Sequence, residues 1–183
     1  MTEIELLKSR RVIGEAVDAL QLDILAEPSL FPIIGGRVYR NHEVSLDGVL
    51  ASAKFGAIRY AWGGESIEVF RLELPKHLIG KDLRLRVEDD QQFTLLHKKN
   101  ILLQGAVGED LKVNDISLSI RSLSARPGTE FKLKLNDRFE TIINLQQEID
   151  AREKGKDSGI IILSYNHKNC LLYTSPSPRD FTE

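Results

Sequence analysis

The sequence contains very little cysteine, methionine or tryptophan, and it lacks a long apolar run. Cys170 is the only cysteine, which excludes a disulfide framework and a zinc site built on thiolates. No stretch reaches the roughly 18–20 apolar residues that span a bilayer. Charged residues between Glu3 and Arg11 interrupt any signal-peptide core. A net charge of −2 lacks the excess of basic residues that is typical of a nucleic-acid-binding domain.

Motifs of catalysis and of metal or cofactor binding are also missing. The four histidines have no metal-ligand spacing: His42, His77, His97 and His167. Gly155-Lys156 lacks the earlier glycine of a phosphate-binding loop, and no Gly-x-Ser-x-Gly elbow exists. Asp89-Asp90 indicates a hairpin turn rather than a calcium site, because no further ligand spacing follows. The sequence therefore predicts no catalytic, cofactor-binding or metal-binding residue.

A 3.6-residue period at the start of the chain predicts one amphipathic helix over Thr2–Leu20. Its apolar face carries Leu6, Ile13, Ala16, Val17 and Leu20. The opposite face carries four charged residues, Lys8, Arg11, Glu15 and Asp18. This face is interpreted either as solvated or as a protomer interface.

Strands are predicted after this helix. The first contains Leu22, Ile24 and Ala26 and ends at Pro28, and a buried turn or short helix follows over Phe31–Gly36. From about Ala57 to Leu123 the apolar period is two, as in Leu83, Leu85 and Val87. Tyr60 and Trp62 are placed on one strand face, where they would stack on a sugar or lie in the core.

The last regular segments are predicted as strand, helix and strand. Phe131, Leu133 and Leu135 alternate with polar residues. Asp137 begins a helix whose apolar stripe includes Phe139, Ile142, Ile143 and Ile149, and Gly155 can end it. The apolar run Ile160–Leu163 predicts a strand buried on both faces.

Together these periods predict an α+β fold. A discontinuous α/β-sheet domain of residues 1–40 and 125–169, lying near a membrane, would receive an inserted β-rich module of residues 41–124, sandwich-like or jelly-roll-like. The composition changes after Asn169: Cys170–Glu183 contains two Ser-Pro pairs and no period. It resembles a read-through of sequencing-adaptor DNA, and we expect a non-native or disordered tail.

Three segments resemble the extracytoplasmic domain of polysaccharide co-polymerases, the chain-length determinant (Wzz-like) proteins fused to bacterial tyrosine kinases. The first is Glu-Ile-Glu-Leu-Leu-Lys-Ser-Arg at residues 3–10, continuing to Phe31-Pro32-Ile33-Ile34-Gly35. The second is Ala125-Arg126-Pro127-Gly128-Thr129-Glu130-Phe131, and the third is Gly155-Lys156-Asp157-Ser158-Gly159-Ile160. Their order and separation extend the resemblance from residue 2 to about Asn169.

The resemblance implies a domain on the periplasmic face of the bacterial inner membrane. It implies a homo-oligomer that works with the polymerase and export machinery, and with polysaccharide itself, to control exopolysaccharide or capsule chain length and export. Kinase activity would belong to a cytoplasmic part of the parent that this chain does not contain, so no enzymatic activity is expected of the chain. The alternative is a secreted carbohydrate-binding β-module in which Tyr60 and Trp62 stack on sugars.

Overall fold

The computed structural model describes residues 3–41, 50–89, 91–155 and 160–165. The helices are α1 (Glu3–Leu7), α2 (Arg10–Leu20), α3 (Gly35–Asn41) and α4 (Arg138–Glu148). The strands are β1 (Ile24–Pro28), β2 (Ser66–Glu73), β3 (Leu83–Val87), β4 (Gln92–His97), β5 (Asn100–Ala106), β6 (Asp110–Val113), β7 (Ile116–Ser124), β8 (Glu130–Leu135), β9 (Ile149–Glu153) and β10 (Ile161–Tyr165). The predicted α+β class is confirmed.

The chain forms two compact units, one of residues 21–138 and one of residues 1–20 with 139–183. The first contains a five-stranded antiparallel sheet in the order β1-β8-β3-β4-β5 and a three-stranded antiparallel sheet in the order β2-β7-β6. Neither sheet closes into a barrel over the described ranges. The finer prediction of a sandwich-like or jelly-roll-like topology stays a prediction.

Both sheets of this unit contribute side chains to one hydrophobic core. In β3, Leu83, Leu85 and Val87 are fully buried, and they alternate with the half-buried Arg84 and Arg86. The five-stranded sheet adds Phe93, Leu95, Phe131 and Leu133, and the three-stranded sheet adds Leu72, Ile116, Leu118 and Ile120. The period-two alternation therefore identified the core positions in β3, β4, β7 and β8 correctly, whereas it did not single out Leu72 of β2.

The five-stranded sheet combines both predicted parts of the chain. β1 and β8 come from the predicted discontinuous domain, and β8 pairs with β3 of the predicted insertion through Leu83↔Leu133 and Leu85↔Phe131. Because backbone hydrogen bonds cross the boundaries at residues 41 and 124, those boundaries do not separate two sheets. The division into a domain and an insertion stays a prediction.

The first predicted helix is interrupted after its second turn. α1 ends at Leu7, and Ser9 caps the start of α2, because its Oγ accepts a hydrogen bond from the Val12 backbone N–H (3.3 Å). A serine in this position satisfies a free donor at a helix start. Ile13 and Val17 are buried as predicted, whereas Leu6 and Leu20 of the predicted apolar face are exposed.

Two further predictions were wrong in the compact unit that contains the chain ends. The last helix ends at Glu148, so Ile149 begins β9, and Gly155 lies in the segment between β9 and β10. β9 and β10 form a two-stranded ribbon. Ile160 and Leu163, predicted to belong to a strand buried on both faces, are 55% and 57% exposed, and among the described residues the ribbon has no third strand.

The segment Phe31–Gly36 was predicted as a buried turn or short helix. A turn does lead into α3 at Gly35, but Pro32, Ile33 and Ile34 are exposed. Asp89 fulfils the predicted turn between β3 and β4, since its Oδ1 accepts hydrogen bonds from the Gln91 and Gln92 backbone N–H groups. Asp90 and the tail from Cys170 onwards lie outside the described residues.

Candidate functional site

A segment without helix or strand, residues 50–65, packs against the start of the five-stranded sheet. Its backbone is held by single hydrogen bonds to distant partners: Ala61 N–H donates to Ser29 O (2.8 Å), and Glu130 N–H donates to Arg59 O (2.9 Å). Within the segment, Ala51 N–H donates to Gly63 O (2.9 Å). Such a segment depends on side-chain partners for its remaining polar groups.

The side chain of Glu65 supplies these partners. Its carboxylate has no solvent exposure and accepts hydrogen bonds from the backbone N–H of Trp62 (3.1 Å) and of Gly63 (2.7 Å). The Arg126 Nη2 lies 2.6 Å from Glu65 Oε1 and completes an ion pair whose arginine side chain is 21% exposed. A buried carboxylate is stable only when it is paired and hydrogen bonded, and here both conditions are met.

Arg126 also links this carboxylate to the β7–β8 turn. Its Nη2 donates to Tyr60 O (3.3 Å), and its backbone carbonyl accepts from Thr129 N–H (3.0 Å). The buried Nε and Nη1 of Arg126 and the buried Thr129 Oγ1 have no hydrogen-bond partner among the described residues. In this turn Gly128 has a φ of 87°, a conformation that glycine adopts without steric cost.

A tyrosine hydroxyl supports the same corner from α3. Tyr39 Oη donates to the Glu65 backbone carbonyl at 2.6 Å. Burial, and then the negative charge of Glu65, raise the pKa of Tyr39 above its ordinary value of 10.0. Tyr39 is therefore neutral at physiological pH and keeps its donor proton.

Four aromatic rings cluster beside the ion pair. The Phe31 ring lies 5.4 Å from the Trp62 ring in a stacked arrangement and 5.2 Å from Tyr60 edge-on. Phe55 lies 6.3 Å from Phe31 and 6.1 Å from Trp62. Trp62 donates its Nε1–H to Ala57 O (3.1 Å). These separations are typical of stabilising aromatic pairs.

The cluster decides between the two interpretations of Trp62. Its side chain is 0% exposed, so neither ring face is free for a sugar, and Trp62 is a core residue. Tyr60 is half-buried and precedes Ala61, which forms an isolated bridge to Leu30 and belongs to no strand of the described ranges. The predicted shared strand face is therefore absent, and sugar stacking by Tyr60 alone stays a prediction.

The charged face predicted on the first helix lies in the other compact unit. Arg11 Nε and Glu15 Oε1 pair within α2 at 3.2 Å, and their side chains are 89% and 69% exposed. The Lys8 carbonyl, between α1 and α2, accepts from Gln146 Nε2 at 2.8 Å. Asp18 is exposed and has an interaction partner. A role for these four residues as a protomer interface stays a prediction.

No arrangement typical of a catalytic centre occurs in the parts of the chain that the structure describes. These parts contain no group of three or more His, Cys, Asp or Glu side chains that could hold a metal ion. A cavity of about 360 Å³ open to solvent lies at one end of β4 and β5. The polar side chains of its lining are carboxylates, amides and one hydroxyl. The lining residues are Glu88, Gln92, Phe93, Thr94, Gln104, Gly105, Ala106 and Glu109.

Comparison with known proteins assigns the chain to a family. Residues 24–136 match the model of the tyrosine-protein kinase Wzc, N-terminal domain. The chain belongs to this Wzc N-terminal domain family. The matched range includes β1 to β8, the Glu65–Arg126 pair and the aromatic cluster.

Individual relatives agree with the family assignment. The chain is 38% identical over 176 residues to the putative tyrosine-protein kinase EpsB of Ralstonia nicotianae, covering 93% of this chain and 23% of the relative. It is 28% identical over 166 residues to the tyrosine-protein kinase wzc of Salmonella typhimurium, and this match covers 89% of this chain and 20% of the relative. For the tyrosine-protein kinase etk of Escherichia coli the identity is 30% over 174 residues, and the match covers 94% of this chain and 21% of the relative.

The chain therefore spans about a fifth of the length of these curated relatives. Among the residues described, no helix is long and apolar enough to cross a membrane. Among solved structures, Xanthomonas campestris FlgL gives a TM-score of 0.30 at 14% identity over 46% of this chain and 30% of that chain, and no argument follows from that similarity.

Sequence reasoning missed the ion pair at the centre of the site. Glu65 and Arg126 are 61 positions apart, and no motif links them. A signal was nevertheless present, because the segments that carried the family resemblance contain Phe31, Arg126 and Thr129. In the structure these two sequence motifs lie beside residues 50–65, the irregular segment whose last residue is Glu65.

We predict that Arg126→Met destabilises the protein by about 3–5 kcal/mol, because it leaves the Glu65 carboxylate buried without its charge partner. Arg121→Met is the matched control. Arg121 pairs with Glu68 at a similar distance of 2.7 Å, but both side chains are more than half exposed, so its pair is worth about 0–1 kcal/mol. Urea unfolding followed by circular dichroism measures both. Equal losses in the two variants would contradict the prediction.

We predict that Tyr39→Phe lowers stability at neutral pH by about 0.5–1.5 kcal/mol, through loss of its hydrogen bond. The wild-type protein should lose stability as pH rises above 10.0, because the unfolded state ionises this tyrosine before the folded state does. Tyr39→Phe should remove part of that alkaline loss, and Tyr60→Phe serves as control. An unchanged alkaline loss in Tyr39→Phe would show that Tyr39 does not cause it.

Proposed function

We propose that this chain is a non-catalytic assembly and regulatory domain of a membrane-anchored polysaccharide co-polymerase, located on the periplasmic face of the bacterial inner membrane. The observation that carries the proposal is the family match over residues 24–136, together with relatives that are tyrosine-protein kinases about four times as long as the chain. In this proposal the parent carries kinase activity in another part, and the domain controls polysaccharide chain length and export.

The described site supports a structural role for this part of the parent. In its charged centre the Glu65 carboxylate has no solvent exposure and is paired with Arg126, so this carboxylate is not available to a substrate. The aromatic side chain best suited to sugar stacking, Trp62, is also buried. The described residues therefore offer exposed surface for contacts with other chains rather than reactive groups. This is expected of a domain that acts by assembly.

The proposed partners are further copies of the parent and the polymerase and export machinery. The exposed residues Arg11 and Glu15 on α2 are the proposed contact between neighbouring copies, together with Asp18 of α2 and with Lys8, which precedes α2. Exposed ion pairs of this kind are worth about 0–1 kcal/mol each. We therefore expect them to set the register of neighbours, while other parts of the parent hold the oligomer together.

The proposal predicts that residues 3–165 can replace the corresponding part of the Salmonella typhimurium relative. In a strain that lacks its own co-polymerase, the chimera should restore polymer of defined length, measured by size-exclusion chromatography of the surface polysaccharide. A second chimera with Arg126→Met should fail, and one with Arg121→Met should succeed. Tyrosine phosphorylation with normal membrane levels, but without restored polymer, would contradict the proposed role of this domain.

The proposed contact predicts that Arg11→Glu and Glu15→Arg each change polymer length in that chimera. Within α2 each reversal only places like charges four residues apart, which costs a few tenths of a kcal/mol. The stability of the isolated chain should therefore change little, so that a polymer effect reports the contact with a neighbour. Charge reversal of the exposed pair Glu68–Arg121 is the control. If both α2 reversals leave polymer length unchanged, this face is merely solvated.

A further inference from the structure

Two neighbouring segments, residues 29–41 and 50–64, present an unusual amount of apolar side chain to solvent. They are joined by the hydrogen bond from Ala61 N–H to Ser29 O and by the ring contact of Phe31 with Phe55. The side chains of Ile33, Phe55 and Ile58 are 102%, 79% and 58% exposed. We call these three, with the exposed basic residues Arg37, Lys54 and Arg59, the apolar–basic surface.

Backbone conformation sets Ile33 and Phe55 apart from ordinary exposed hydrophobic residues. Ile33 has a φ of 70° and Phe55 a φ of 56°, which is the left-handed region. Branched and bulky side chains rarely adopt it, and glycine adopts it freely. At both positions the chain thus combines a strained backbone with a large apolar side chain in solvent. Such strain and such exposure are each typical of binding surfaces.

The charges of the two segments have one sign. The segments contain arginine and lysine and no aspartate or glutamate, although the whole chain has a net charge of −2. Arg37, Lys54 and Arg59 are exposed. The nearby carboxylate of Glu65 is buried against Arg126 and does not compensate them. On the described residues of these two segments, a complementary partner offers negative charge together with an apolar phase.

We propose that the apolar–basic surface docks on an anionic lipid bilayer. Ile33, Phe55 and Ile58 would enter the boundary between headgroups and acyl chains, while Arg37, Lys54 and Arg59 reach lipid phosphates. A two-fold contact with a second copy of the chain fits less well, because it brings the basic residues of both copies together. An acidic polysaccharide would satisfy the charges but leave the apolar side chains in water.

The lipid contact does not depend on the proposed role in polysaccharide export. Vesicle binding is a property of the isolated chain and can succeed or fail whatever the parent does.

The test uses the full 183-residue chain with a reductant present, because Cys170 is a free thiol in the sequence. Co-sedimentation is measured with vesicles of phosphatidylcholine alone and with vesicles of equal parts phosphatidylcholine and phosphatidylglycerol. The chain should bind the second kind and not the first, and added salt should weaken binding. Lys54→Gln and Arg59→Gln should each lower affinity about fivefold.

The decisive variant is the double change Ile33→Gly with Phe55→Gly. Glycine suits both positive φ values, which offsets part of the stability lost with the ring contacts of Phe55 to Phe31 and Trp62. A variant whose circular dichroism spectrum matches that of the wild type should still bind anionic vesicles at least about tenfold more weakly. Control variants change residues that are also exposed but lie elsewhere: Ile101→Ser with Leu163→Ser for apolar area, and Lys98→Gln with Lys99→Gln for charge.

Three results would overturn the proposal. The first is no binding of the wild type to anionic vesicles, and the second is an equal loss in the test and control variants. The third is a wild-type dimer in light scattering that the glycine variant abolishes, since this would make a second copy the occupant.

Discussion

A carboxylate that has no solvent exposure holds together the region of the protein that lacks regular structure. Glu65 accepts hydrogen bonds from two consecutive backbone N–H groups and pairs with Arg126. Residues 50–64 contain no helix or strand, so they cannot satisfy their polar groups through a ladder. The Glu65 carboxylate accepts hydrogen bonds that a neighbouring strand would otherwise accept. Tyr39 and the aromatic cluster around Phe31 pack beside it.

Periodicity in the sequence predicted the core of the sheets well. The alternation in β3, β7 and β8 fixes which side chains face inward, because successive residues of a strand point to opposite faces. Leu83, Leu118 and Leu133 are buried for this reason. The hairpin turn at Asp89 was also predictable, since an aspartate side chain caps the turn through local hydrogen bonds.

Features that depend on contacts between distant residues were not predictable in this way. Glu65 and Arg126 belong to different segments, and only the folded chain brings them within 2.6 Å. Ile149 continues the helical period of α4, yet pairing with Tyr165 makes it the first residue of a strand. Tertiary pairing outweighs a weak local preference there. The full exposure of Ile33 was also not predictable from its apolar side chain. The proposed apolar–basic surface would give that exposure a physical reason.

The organising role of Glu65 is tested most directly by hydrogen–deuterium exchange at single residues. The backbone N–H groups of Ala51, Ala61, Trp62 and Gly63 lie outside regular strands, so an unanchored segment would exchange them at rates typical of exposed chain. In the wild type all four should instead be protected, and Glu65→Gln should expose them while the amides of β3 and β8 stay protected. Rapid exchange of these four N–H groups in the wild-type protein would contradict the account.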